Sequence, residues 1–126
     1  MKILLNTLCG LLLTSAAGVA QAPPAGPVTQ VLATLTVKPG IQRDQLMKVM
    51  LEEVRATVQL HLDGKIQQWF GRGDGKGVVF IMNCKDTAEA RALTDQLPLI
   101  REKFAEFEFM PLTPLSPLRV LLDAKH

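Results

Sequence analysis

The sequence predicts an α+β domain of β-α-β-β-α-β order. This is a ferredoxin-like plan, with a four-stranded antiparallel sheet and both helices on one face. Three observations predict it. Gly73-Asp74-Gly75 sits between two short runs rich in strand-forming residues, which signals a tight hairpin. A segment with helical spacing of apolar residues lies on each side of that hairpin. Alternating apolar runs open and close the domain at Val28 to Val37 and Glu106 to Met110.

The chain has 126 residues, enough for one domain. Its 14 Lys and Arg against 12 Asp and Glu leave a net charge of +2. That balance is too near neutral to suggest nucleic acid or an anionic membrane surface as the partner. Aromatics make up 5% and Tyr is absent, so platforms for stacking bases are scarce.

Residues 1–22 read as an export signal. Met1-Lys2 is followed by an apolar run from Ile3 to Leu13 and then by small residues. The run is too short to span a bilayer. The expected location is periplasmic or secreted, with cleavage after Ala20 and no stable membrane association afterwards. Cleavage would leave Cys84 as the sole cysteine, so no intrachain disulfide is possible. Cys84 ends an apolar strand and is expected to be a small buried hydrophobe.

Residues 23–28 form a Pro-rich linker, 29–113 the domain and 114–126 a C-terminal arm. In the first strand Val31, Ala33, Leu35 and Val37 share a face. Lys38-Pro39-Gly40 ends it. Arg43 to Leu62 reads as a helix, with Met47, Met50 or Leu51, Val54, Val58 and Leu62 as the core stripe. Asp63-Gly64 closes that helix. In the next strand Ile66, Gln68, Phe70 and Arg72 are expected on one face, and Lys65, Gln67, Trp69 and Gly71 on the other. The returning strand, Val78 to Cys84, is apolar on both faces, so something must cover the side without helices. A homodimer through the sheet face is the expected answer. A second helix starts at Asp86 or Thr87 and runs to Leu97, where Pro98 ends it.

Gly64, the Val78 to Met82 strand, Asp95-Gln96-Leu97-Pro98-Leu99, Glu106-Phe107-Glu108-Phe109 and Leu112 together resemble muconolactone Δ-isomerase and its relatives in the dimeric α+β barrel superfamily. The resemblance implies a dimeric α+β barrel that binds a small carboxylated or lactone-like organic molecule and moves a proton to shift a double bond. It implies no cofactor. Where the family has an aromatic residue, Arg and His after the glycine, this chain has Ile66, Gln67 and Gln68. That departure points to the alternative, a non-catalytic small-molecule-binding or structural module of the same fold.

Proton transfer beside a carbonyl needs a tuned carboxylate or His. Glu108, alternating with Phe107 and Phe109, is the expected acid/base. Arg72 and Gln68 are the expected orienting groups, with Trp69 and Phe70 as apolar walls. Glu52 and Glu53 are assigned to other faces of the long helix. His61 is expected as a capping or surface residue. Two His and one mature Cys offer no metal-ligand spacing. The Gly71 to Gly77 run joins two strands, so it is not a phosphate loop. Arg72-Gly73-Asp74 is explained by the turn.

Overall fold

A computed structural model describes residues 27–115. The expected export signal and most of the C-terminal arm lie outside the described residues. The elements are β1 (Gln30–Val37), α1 (Arg43–Leu62), β2 (Ile66–Gly71), β3 (Gly77–Met82), α2 (Thr87–Thr94), α3 (Pro98–Arg101) and β4 (Ala105–Leu112). All neighbouring strands are antiparallel, in the order β2-β3-β1-β4. The α+β class and the ferredoxin-like strand order are as the sequence predicts.

Alternation in β1 sends Val31, Ala33 and Leu35 into the core under the helices. Ile66, Phe80, Met82, Ala90 and Leu97 close around the first two. Leu35 forms a smaller cluster with Leu99 and Ala105.

Local chemistry sets the helix ends. Gln42 caps α1, and its N–H donates to the Gln45 side chain at 2.8 Å. Gly64, at φ +78°, ends the helix in a conformation that a side chain would resist. The Asn83 side chain donates to the Gly64 carbonyl at 2.9 Å and pins the chain where β2 begins. Asp86 caps α2, accepting from the Glu89 N–H at 2.7 Å.

Three details differ from the sequence expectations. First, α2 stops at Thr94, and Pro98 opens a new turn instead of ending the old one. Proline suits the first helical position, where no N–H is needed. Second, β2 carries an irregularity. Ile66 pairs with Met82, but Gln68 pairs with Ile81, so Gln67 is an extra residue. The side chain of Gln30 donates to that of Gln67 at this point. The bulge puts Ile66 on the helix side together with Trp69, which pairs with Phe80, and separates it from Gln68 and Phe70. Third, the expected core stripe of α1 stays largely outside the core, although Met50, half-buried, lines a cavity on the sheet side with Val54 and Val58. Met47, Leu51, Val54, Val58 and Leu62 are all exposed, from 39% at Val58 to 71% at Leu62. The core receives Leu46, Val49, Ala56 and Leu60 instead, with Glu53 among them. The helix therefore carries two apolar faces. The inward one contains a small Ala and a carboxylate that finds a partner in the Leu99 N–H.

No described element covers the other side of the sheet. One row there reads Phe70, Val79, Thr34, Glu108 across the strands, and the next Gln68, Ile81, Leu32, Met110. Phe70 and Met110 are each 57% exposed.

Candidate functional site

Between α1 and the sheet lies a cavity of about 410 Å³. Its walls are largely apolar, including Leu35, Val54, Val58, Trp69, Phe80 and Leu99. Size and character suit a small organic ligand. Two side chains with hydrogen-bonding groups, Glu53 and Thr57, line it from one wall. They are four residues apart on α1 and so lie on one helix face.

Glu53 is 6% exposed. Its Oε2 accepts from the Leu99 N–H at 3.1 Å. That N–H is free to donate because it sits in the first turn of α3, where helix geometry leaves amides without internal partners. Among the described residues, the other carboxyl oxygen has no hydrogen-bond partner. Burial pushes the Glu53 carboxyl above its ordinary value, while the Leu99 amide and the positive charge of Arg101 pull it back.

Trp69 is held at the cavity wall by the bulge in β2 and by the His61 ring, whose centroid lies 4.4 Å from its own. His61 in turn contacts the Ile66 carbonyl through Nδ1 at 2.8 Å. His61 thus packs against the start of β2.

The sequence-predicted residues do not converge. Trp69 alone of them lines the cavity beside Glu53. Gln68, Phe70 and Glu108 belong to the uncovered sheet face, and Glu108 is exposed opposite Thr34. Arg72 reaches across to β1, donating to the Thr36 hydroxyl and to the Leu35 carbonyl at 3.3 Å. It also pairs with Asp74 at 2.6 Å. Its guanidinium is engaged in holding the hairpin.

Sequence reasoning missed Glu53. The residue sits between Glu52 and Val54 in a run that looks like an ordinary solvated flank. The available signal was its register with Leu46, Val49, Ala56 and Leu60, which marks a second apolar stripe.

Among the described residues, no group of three or more His, Cys, Asp or Glu is placed to hold a metal ion. No helix there is long and apolar enough to cross a membrane. No protein-family model matches the chain, and no match emerges among characterised proteins.

Proposed function

We propose that the chain is an exported, muconolactone-isomerase-like protein that binds a small lactone-like or other carbonyl-bearing molecule in the cavity beneath α1. The observation that carries this reading is a buried carboxyl with one uncommitted oxygen in an apolar chamber of about 410 Å³. A carboxylate with a raised pKa can take a proton from carbon beside a carbonyl and return it to a neighbouring carbon, which shifts the double bond. No Lys or Arg lines the cavity, which favours an uncharged ligand over a carboxylated one. Glu108 remains the candidate on the uncovered face. There a second subunit docked through the sheet would enclose it with Gln68 and Phe70. The apolar character of that face supports such a homodimer.

One observation favours the non-catalytic reading. The Glu53–Leu99 hydrogen bond also works as a purely structural clamp between α1 and α3.

The test is deuterium exchange from solvent into a panel of unsaturated lactones, with Trp69 fluorescence reporting binding. The catalytic reading expects exchange by the native chain and its loss in Glu53→Gln with binding retained. Exchange lost in Glu108→Gln instead would move the chemistry to the sheet face. Binding without exchange by the native chain would establish the non-catalytic module.

A further inference from the structure

A second pocket, of about 320 Å³, lies where α2, the turn after α3 and the edge strand β4 meet. It shares no lining residue with the chamber beneath α1. Phe107 and Phe109 line it, with ring centroids 5.8 Å apart and planes inclined by 19°. Three cations, Lys38, Arg91 and Lys103, stand around them, against two carboxylates, Asp95 and Glu106. Among the described residues, none of these three cationic side chains is ion-paired. The Arg91 guanidinium lies over the Phe109 ring at 4.9 Å, although Asp95 stands four residues on, at a spacing that commonly pairs. A guanidinium stacked on an aromatic face keeps its N–H edge free for a planar oxyanion.

Lys103 supplies an independent sign. Among the described residues it is the one non-glycine residue with a positive φ, 61°. Helices α1 and α3 end in the same pair of hydrogen bonds. After α1, the Gly64 N–H donates to the His61 carbonyl at 3.0 Å and the Lys65 N–H to the Leu60 carbonyl at 2.9 Å. After α3, the Lys103 N–H donates to the Ile100 carbonyl at 3.0 Å and the Phe104 N–H to the Leu99 carbonyl at 2.9 Å. The left-handed position is glycine in the first case and lysine in the second, where a side chain strains the backbone. No ion pair within the described residues accounts for that lysine. Strain of this kind collects where a side chain serves a ligand. We propose that the pocket binds a small organic carboxylate with a flat apolar body. Arg91 and Lys103 hold the carboxylate, Lys38 adds to the positive field, and the body lies against Phe107 and Phe109. Three cations against two carboxylates, with a free guanidinium edge, select an anion over a cation. The aromatic floor selects an organic anion over phosphate. The proposal does not depend on what occupies the chamber beneath α1.

The test is amide chemical-shift mapping by NMR on the full chain, titrated with phenylacetate, its neutral isostere phenylacetamide, benzylamine and inorganic phosphate. Phenylacetate should give saturable shifts centred on Arg91, Lys103, Phe107 and Phe109, and the other three should bind far more weakly. Arg91→Gln should weaken phenylacetate about tenfold, through loss of a charge-assisted contact. Lys103→Gly should weaken it severalfold and yet melt at or above the native temperature, because glycine relieves the left-handed backbone. A lysine with a merely structural role would move the melt downward and leave the affinity alone. Arg91 and Lys103 are both exposed, so neither substitution disturbs the core. Equal binding of phenylacetamide or benzylamine would overturn the proposal, and equal binding of phosphate would reduce the pocket to a patch of positive charge and overturn it too. So would the absence of saturable shifts, shifts centred on Trp69 in the chamber, or an affinity unchanged in either variant.

Discussion

Glu53 and Leu99 are joined by a hydrogen bond of 3.1 Å between elements 46 residues apart in sequence. The contact links the middle of the long helix to the one-turn helix that follows Pro98. Removing the carboxylate strands a buried amide. Glu53→Ala should therefore cost about 1–3 kcal/mol in chemical denaturation. Glu53→Gln keeps an acceptor for Leu99 and should cost far less.

The same residue makes stability depend on pH. Its carboxyl is raised in the folded state, so folding favours the protonated form. That contribution is complete below the unfolded carboxylate value and is lost as pH climbs through the raised folded value. Thermal melts of the native chain and Glu53→Gln should coincide in acid and diverge above the ordinary carboxylate range, with the Gln variant melting higher. Parallel melting curves across that range would show a carboxyl that ionises without cost.

Asp74 works in the opposite sense at the hairpin. The Lys76 N–H, donating at 2.9 Å, holds its carboxyl below the ordinary value, with Arg72 adding to the effect. The stability this provides is present above the unfolded value and is lost as pH falls through the lowered one. Asp74→Asn should flatten the acid limb of the melting profile and leave the fold unchanged.

Two glycines of the same loop region should respond very differently to a methyl group. A Cβ on Gly77 would lie 1.9 Å from the Leu35 carbonyl oxygen in the neighbouring strand, and backbone cannot yield as a side chain tip does. Gly77→Ala should cost about 3 kcal/mol or more through forced separation of β1 and β3. Gly73→Ala meets nothing within 4 Å and should be nearly neutral. Urea midpoints of the two variants provide the comparison.

The Cys84 thiol is pushed up to about 11, first by burial and then by the negative charge of Glu89. The nucleophilic thiolate is therefore scarce at neutral pH. Iodoacetamide should leave Cys84 unmodified in the native protein and add one label at that site in denaturant, as read by peptide mass.

The order of elements along the chain was legible because alternation and turn chemistry are local, whereas the place of β2 at the sheet edge was not. Gly73-Asp74-Gly75 fixes the hairpin, and β1 and β4 each show their period in a few residues. The face assignments were less legible. α1 carries two apolar stripes, and the stronger one in the sequence, Met47 to Leu62, is exposed, with Val54 and Val58 at the cavity rim. The inward stripe holds a carboxylate whose partner, the Leu99 N–H, lies on a distant element. The candidate site failed to appear for the same reason. Glu53 acquires its character only from its surroundings, whereas Glu108 looks special in sequence because aromatics flank it. The bulge at Gln67 has no local signature beyond an unbroken run of polar and apolar residues.

That one supernumerary residue divides β2 into halves with separate duties. Ile66 is fully enclosed in the core, while Trp69, three places on, forms part of the cavity wall. The phase change falls between them, and His61 spans it, stacked on the indole and in contact with the Ile66 carbonyl. Substitution should therefore be harsher at the enclosed isoleucine than at the half-open indole.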